Sequence, residues 1–530
     1  MARASAQDGW TPERSAAGRN NPWLVVAIIS LPTFMEVLDT SIANVSLDNI
    51  AGGLSISVDQ ATWVLTSYLV ANAIIIPISG WLSDAIGRKR YFLISIALFT
   101  LSSLMCGLAP NLTTLVIARI LQGIGGGGLA PVEQSMLADT FPPKQRGMAF
   151  AAYAIVVVVG PVLGPSLGGY ITETWSWHWV FLINVPVGIA AWFLADIFVD
   201  EPQVLKDDRK ALLKRGLRID YIGVALVALG LGLFEFTLDR GEREDWFASN
   251  LIFATAIISA TSLVALYFWE SRHKDPVVDV SLLRNRNFSL TLLVMGTTGM
   301  ILYGTTALIP QMLQQVVGYS ALDAGMALTY AGVATLIMVP VAGRLSGMVD
   351  VRYLLFPALV VQALALWNMS HLSADLSFTD AAVARLFQAA ALPFLFIPIN
   401  AIAYAGLPQN KTAQASSLLN VARNLGGTIG ISASQTLLSS YRQVRQSTTV
   451  EGLNPGNPAY NDWVDQASHT LGTMPGDQTT LAVIYGQAQR QISMLAFLDV
   501  FRTLMVVILC IAPVVFLMRP GKGGSGGAAH

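Results

Sequence analysis

The chain has 530 residues, 53% of them hydrophobic and only 12% charged, and its 32 basic and 33 acidic side chains leave a net charge of −1. A water-soluble domain carries roughly 25% charged residues. Half that quota excludes a surface that faces water throughout, and the balanced charge removes the electrostatic footprint of a nucleic-acid binder. Mean hydropathy is +0.55. Cys106 and Cys510 both sit in apolar runs, which excludes a disulfide framework or a thiolate metal cage. The composition is that of an all-α integral membrane protein.

A membrane-spanning helix needs ~20 mainly apolar residues, because each unpaired backbone group in hydrocarbon costs several kcal/mol. Fourteen stretches qualify: 22–45, 60–80, 91–109, 112–134, 147–170, 178–198, 219–239, 250–269, 288–309, 323–343, 353–371, 381–404, 413–439 and 497–518. They are long and uninterrupted, without the ~10-residue alternation of a membrane barrel. The first follows a polar tail, 1–21, and is too long for a signal-peptide core, so it is expected to remain as the first span. With the N-terminus in the cytoplasm, 23 of the 32 Lys and Arg residues fall in inner segments. Six fall outside, and Arg119, Arg385 and Arg423 lie within spans. That asymmetry predicts 14 transmembrane helices with both termini cytoplasmic.

Most outer connections are short. The segment 440–496, rich in Asn, Gly, Pro, Ser and Gln, is expected to be an exposed outer loop. Trp175, Trp177 and Trp179 at the turn between spans five and six match an interfacial aromatic belt. The glycine-rich end, 519–530, reads as a flexible cytoplasmic tail.

The sequence also repeats itself. Ala118-Arg119-Ile120-Leu121-Gln122 in span four is echoed by Ala384-Arg385-Leu386-Phe387-Gln388 in span twelve. Gly80-Trp81-Leu82-Ser83-Asp84 after span two is echoed by Gly343-Arg344-Leu345-Ser346-Gly347 after span ten. The offsets, 266 and 263, agree, so 22–200 and 288–518 read as two related six-helix halves. Spans seven and eight are inserted between them, within a linker 201–287. Paired halves that rock about a midplane site are the usual construction of secondary transporters.

Few charges lie within the spans. Asp39 is about seven residues from the outer end of span one, or ~10 Å at ~1.5 Å per residue, and Arg119 is ~12 Å from the outer end of span four. The two opposite charges therefore share a depth. An intramembrane charge costs at least ~2.5–3.5 kcal/mol unless paired or hydrated, so such residues face a cavity or each other. Glu36 precedes Asp39 by three positions on the same helical face. A carboxylate whose access and pairing alternate can load and unload a proton. The same pair also fits a static brace, and both readings stand at this level. Arg119 keeps its proton and acts as a fixed charge; Gln122, one turn on, is placed to bond the arginine or a ligand.

Gly160, Gly164 and Gly168 recur every four residues in span five, a groove for close helix approach. Pro161 and Pro165 remove backbone donors and bend the helix. Such a helix at the interface between halves is expected to seal one side of the cavity. Asp84 and Arg88 are four apart and able to pair. Glu235 and Asp239 share a face near the outer end of span seven and read as interfacial. Gly125 to Gly128 lie in an apolar helix without the Lys-Ser/Thr of a phosphate loop. No catalytic or metal-binding constellation is present in the sequence.

Four strings carry a family resemblance. Gly80-Trp-Leu-Ser-Asp84-Ala-Ile-Gly87-Arg88-Lys89-Arg90 resembles the signature between helices 2 and 3 of the major facilitator superfamily. Leu115-Val-Ile-Ala-Arg119-Ile-Leu-Gln122-Gly123 resembles its helix-4 signature. The string from Gly160 to Gly169 resembles the helix-5 signature of its drug:proton antiporters, and Leu38-Asp39-Thr40-Ser41-Ile42-Ala43-Asn44-Val45 the helix-1 signature of its fourteen-span branch. The similarity covers essentially the whole chain and runs to EmrB-type multidrug exporters of Gram-negative bacteria. One departure is Asp48, which follows Leu47 where a proline is usual.

The resemblance implies an exporter of hydrophobic toxic compounds, driven by the proton gradient and needing no cofactor, in the bacterial inner membrane. It implies proton coupling through Asp39, Arg119 and Glu36, and a cavity lined by helices 1, 4, 9 and 12. Candidate cavity residues are Asn44, Gln122, Tyr303, Gln388, Phe396 and Asn400, together with Glu36. It implies that Gly80, Asp84, Gly87 and Arg88 latch the outward-open state, and that Gly160, Pro161, Gly164, Pro165 and Gly168 serve the conformational exchange. A periplasmic adaptor and an outer-membrane channel are the implied partners, with the periplasmic loop 440–496 as a contact. A dedicated exporter of an endogenous metabolite, such as a siderophore or fatty acid, is the alternative on the same fold.

Overall fold

The computed structural model describes residues 15–18, 20–214, 220–273, 275–405, 407, 409–475 and 477–519. The regular elements among them are helical. The first six long helices are α1 (Pro22–Val45), α2 (Val58–Ile86), α3 (Arg88–Gly107), α4 (Leu112–Thr140), α5 (Pro143–Thr174) and α6 (Trp179–Phe198). Then come α7 (Tyr221–Gly241) and α8 (Asn250–Glu270). The last six are α9 (Arg286–Val317), α10 (Ala321–Ser346), α11 (Arg352–Met369), α12 (Phe378–Ala403), α13 (Thr412–Gly452) and α14 (Gln478–Leu517). Twelve of these stretches are long and apolar enough to cross a membrane. The other two, α5 and α13, run for 32 and 41 residues.

Local sequence sets where helices start. Asn21 accepts from the Trp23 amide at 3.0 Å, with Pro22 at the first helical position of α1. Asn111 accepts from the Thr114 amide at 2.9 Å at the start of α4, and a reciprocal Ser377–Asp380 capping box opens α12. Large apolar side chains such as Ile94, Leu101, Phe193, Ile197 and Leu364 stay exposed on the outside of the bundle, where a lipid solvent favours them.

The packing repeats. α1 packs on α5 and α6, α2 on α4, and α3 on α4 and α6. In the second set α9 packs on α13 and α14, α10 on α12, and α11 on α12 and α14. Two seams join the sets, α2 against α13 and α5 against α10. α7 and α8 pair with each other through Ser259 Oγ, which donates to the Gly230 carbonyl at 2.7 Å, and α7 lies over α2 and α13.

Both seams are closed at the end that carries the Gly80–Arg90 turn. Ser79 and Ser417 hydroxyls meet at 3.2 Å, and a Cβ at Gly80 would sit 3.0 Å from the Ala413 carbonyl. Asn420 donates to Gln134 Oε1 at 2.9 Å, and Phe150 stacks on Tyr404 at 5.8 Å. A Cβ at Gly147 would meet the Gly343 carbonyl at 2.9 Å. Toward the other end, Asp39 on α1 and Thr305 on α9 are bonded within their own sets.

Three expectations change. The segment 440–496 is mostly helix: α13 continues to Gly452, Pro458–Leu471 forms a further helix, and α14 starts at Gln478. Its Asn and Pro signals are caps, Asn457 accepting from the Ala459 amide at 3.1 Å beside Pro458, and Asp477 capping α14. Gly472, at φ +66°, ends the short helix. Of the three tryptophans, Trp175 and Trp179 are exposed and in edge contact at 5.2 Å, but Trp177 is buried against Gly53 and Phe181. The end of the N-terminal tail is docked: Ala16 donates to Thr140 Oγ1 at 3.1 Å and accepts from the Asp200 amide at 2.9 Å. Residues 1–14 and 520–530, most of both expected tails, lie outside the described residues.

Candidate functional site

Asp39 on α1 is wholly buried, and both its oxygens are occupied. Arg119 Nη1 donates to Oδ2 at 2.5 Å, while Gln122 Nε2 and Asn184 Nδ2 donate to Oδ1 at 3.0 and 2.7 Å. Arg119 is equally buried, donates through Nε to the Val64 carbonyl at 2.9 Å and through Nη1 to Gln122 Oε1 at 2.8 Å. Gln122 in turn donates to Ser103 Oγ at 2.7 Å. Five helices, α1, α2, α3, α4 and α6, thus converge on one ion pair with its hydrogen-bonding capacity largely matched.

The pair is linked to a second carboxylate, Glu36 of α1, through Tyr68 of α2. The Arg119 guanidinium lies 4.3 Å from the Tyr68 ring centroid. The Tyr68 hydroxyl donates to Glu36 Oε1 at 3.2 Å, and Asn72 Nδ2 donates to the same oxygen at 3.0 Å. Glu36 is only half-buried. The glycine run in α4 makes this possible: a Cβ at Gly123 would overlap the Tyr68 carbonyl, and one at Gly126 would sit 2.8 Å from the Tyr68 hydroxyl and 3.4 Å from Glu36. The run is a packing surface that draws α2 and α1 against α4.

The second set of helices holds a replica without the acid. Arg385 donates to Thr305 Oγ1 at 2.8 Å and Thr306 Oγ1 at 2.9 Å and bonds Gln388, whose Nε2 donates to Thr305 at 3.0 Å. Thr305 lies 266 residues beyond Asp39, the offset that relates Arg119 to Arg385 and Gln122 to Gln388. A hydroxyl therefore stands where the first half has a carboxylate.

The remaining candidates are more scattered. Gln122 and Gln388 are committed to the arginine networks, with their side chains fully buried. Phe396 belongs to the apolar core, and Asn400 donates back to the Phe396 carbonyl at 2.8 Å. Asn44 is exposed near the end of α1. Tyr303 packs over Gly427 of α13 and lies in the electrostatic neighbourhood of Arg423, as does Glu36. Glu235, expected to be interfacial, is buried and accepts from Thr428 Oγ1 of α13 at 2.9 Å, while Asp239 takes the Thr66 hydroxyl of α2. The two acids of α7 thus reach across one seam to both sets of helices.

The glycines of α5 face α1 and not the seam between halves. A Cβ at Gly160 would lie 2.7 Å from Val37, one at Gly164 would overlap Ser41, and one at Gly168 would lie 3.1 Å from Ile42. These contacts flank Asp39. The face recurs at the 266-residue offset: Gly426 and Gly430 of α13 press on the Gly296 and Met300 backbone of α9. Gly164→Val is expected to cost ~1–3 kcal/mol of stability through overpacking, while Gly169→Val, whose Cβ meets nothing within 4 Å, should be neutral. Thermal unfolding of the two purified variants checks this. Pro161 and Pro165 lie in α5, but their side chains are outside the described residues.

The Gly80–Arg90 turn is locked from both sides. Arg88, buried, pairs with Asp139 of α4 and donates to Thr412 Oγ1 of α13 at 3.0 Å. Its direct ion-pair partner is thus Asp139 across helices, with Asp84 in its electrostatic surroundings. Gly87 has φ +103°, and a Cβ there would overlap Arg209 and Glu201, whose side chains pair at 3.0 Å. Arg209 also donates to the Ile86 carbonyl at 3.0 Å. Nearby, Lys411 Nζ is 2.7 Å from Asp279 Oδ2. Burial pushes the Asp279 carboxyl up, but hydrogen bonds from Lys411 and Ser281 outweigh it and hold the group below the usual carboxylate range.

Four participants escaped the sequence reading. Tyr68, Asn72 and Asn184 are neutral residues in apolar runs, and nothing in one dimension marks them. Glu133 carried a signal, a carboxylate inside the fourth predicted span.

The Major Facilitator Superfamily model matches residues 29–431. The multidrug export protein EmrB of Haemophilus influenzae is 38% identical over 444 residues, covering 84% of this chain and 86% of the relative. EmrB of Escherichia coli K12 is 35% identical over 510 residues, 96% and 98% of the two chains. The fatty acid resistance protein FarB of Neisseria gonorrhoeae is 34% identical, covering 96% and 98%. Among solved structures, the MFS proton:xylose symporter XylE bound to 6-bromo-6-deoxy-D-glucose superposes with a TM-score of 0.59 at 14% identity, over 95% of this chain and 97% of that one. The chain belongs to the Major Facilitator Superfamily. Its family and fold are those of membrane transporters rather than enzymes, and its relatives include multidrug exporters.

Proposed function

We propose that the chain is a proton-coupled antiporter that exports hydrophobic toxic compounds across the bacterial inner membrane, delivering them to a periplasmic adaptor and an outer-membrane channel. The observation that carries the reading is the Asp39–Arg119 pair, sealed within five helices yet connected through Tyr68 to the half-buried Glu36. A charge pair at that depth that communicates with a second, half-buried carboxylate is suited to couple protonation to helix movement. Fourteen spans with both termini cytoplasmic are supported by the basic-residue asymmetry and by the lengths of α5 and α13. Closure of both seams at the Gly80–Arg90 end then corresponds to an outward-facing state, with Arg88, Asp139 and Thr412 as its inner lock.

The test is export itself. In inside-out vesicles carrying a proton gradient, lipophilic drugs are expected to release protons, and a deletion strain should lose resistance to several unrelated toxicants. Unchanged resistance to every compound would sink the multidrug reading. A dedicated exporter of a fatty acid is the second reading, favoured by the similarity to FarB. It predicts that a long-chain fatty acid alone of the panel separates deletion strain from parent.

A further inference from the structure

Glu133 of α4 is fully buried, with 0% of its surface exposed. Oε2 accepts from Thr33 Oγ1 of α1 at 2.5 Å, and among the described residues Oε1 has no hydrogen-bond partner. Among the described residues no basic side chain pairs with it. The contrast with Asp39 is chemical: Asp39 has three donors, one a guanidinium, which complement a carboxylate anion, whereas Glu133 has a single hydroxyl. Leaving a bare carboxylate in a buried site with one neutral donor is costly, and the neutral acid removes that cost.

The position of Glu133 is as telling as its surroundings. Thr33, Glu36 and Asp39 are spaced by three along α1, so Glu133 sits about one turn from Glu36 on the side away from Asp39. The titratable groups facing it are Glu36 from α1, Tyr153 from α5 and, beyond Tyr153, Arg423 from α13. α2 and α3 contribute Tyr68, bonded to Glu36, and Tyr91, against Gly128. The next residue, Gln134, makes the amide pair with Asn420 that closes the α4–α13 contact between the two sets of helices.

We propose that Glu133 is a second proton carrier, separate from the Asp39–Arg119 pair. This rests on the proton-coupled reading above. In the state seen here Glu133 holds a proton on its otherwise unpartnered oxygen. When the seam at Gln134 and Asn420 parts, water reaches the carboxyl group, the proton leaves to the side of the Gly80–Arg90 turn, and a hydrated carboxylate remains. A proton taken up at the half-buried Glu36 restores the acid when the seam closes. One carboxyl proton is carried per cycle, in addition to any carried at Asp39.

Two measurements on the full-length protein in lipid test this. Infrared spectroscopy at neutral pH is expected to show a protonated-carboxyl band that Glu133→Gln removes and Glu133→Asp retains at a shifted frequency. A band unchanged in Glu133→Gln would overturn the proposal. Because Gln reproduces the shape of the neutral acid, that variant is expected to fold in the closed state. In proteoliposomes with ethidium as the transported probe, the proton-to-ethidium ratio is expected to fall from two to one in Glu133→Gln. A merely structural glutamate would change the rate and leave the ratio intact, which also overturns the proposal. Wild-type protein that moves ethidium without protons would instead overturn the antiport reading, while the infrared band still reports whether Glu133 is protonated.

Discussion

Asp39→Asn is expected to abolish drug-driven proton release in inside-out vesicles. The substitution keeps the shape of the side chain and removes the only formal anion in contact with Arg119 among the described residues. A buried pair broken on one side costs roughly 3–5 kcal/mol, because the surviving charge is stranded. Loss of activity alone therefore leaves two explanations, failed coupling and a failed brace. The double variant Asp39→Asn with Arg119→Gln separates them. Removing both charges is expected to restore most of the thermal stability, with a strongly non-additive cycle, and not to restore proton release. If the double variant couples protons normally, Asp39 is a brace and the proton travels elsewhere. If Asp39→Asn itself couples normally, its assignment is wrong.

The second large effect is expected at the inner lock. Arg88 meets Asp139 of its own half and Thr412 of the other, with 4% of its surface exposed. Arg88→Met keeps much of the aliphatic bulk and deletes the charge, and is expected to cost the closed state up to about 3–5 kcal/mol. A shift of about 1.4 kcal/mol already changes the balance of two states tenfold, so the population should move toward the state open at the Gly80–Arg90 end. Single cysteines at Ser79 and Ser417, whose hydroxyls are 3.2 Å apart, are expected to cross-link readily in the parent and poorly with Arg88→Met. Equal cross-linking would show that the lock does not set the conformation.

The fold was legible to different depths. All fourteen apolar stretches correspond to long helices, and their order in the packing follows the repeat seen in Ala-Arg-x-x-Gln. The helix ends were less legible: α9, α13 and α14 overrun the apolar windows by many residues, because polar helix outside hydrocarbon has no hydropathy signature. The 440–496 segment reads as a loop for that reason, yet it is mostly helix. Its Asn, Pro and Gly residues act as caps at two short turns, and the residues between them have no apolar run to announce a helix. At the site, Asp39, Arg119 and Gln122 were legible because a charge in an apolar run is conspicuous. Tyr68, Asn184 and Thr305 were not, since neutral polar residues are common in spans and acquire a role only from what they meet.

The membrane setting, the spans and the expected orientation are decided in one dimension, because transfer into hydrocarbon is additive along the chain and depends little on what a helix touches. What each polar residue does is decided in three. Three carboxylates on α1 and α4 are alike in sequence, each an acid in a mainly apolar run. Asp39 has a guanidinium and two amides, the half-buried Glu36 has a phenol and an amide, and Glu133 has one threonine hydroxyl. Those partners come from helices as much as 145 residues distant along the chain. Desolvation and hydrogen bonding act over a few ångströms, so only the packed bundle distinguishes a paired anion, an accessible acid and a buried one.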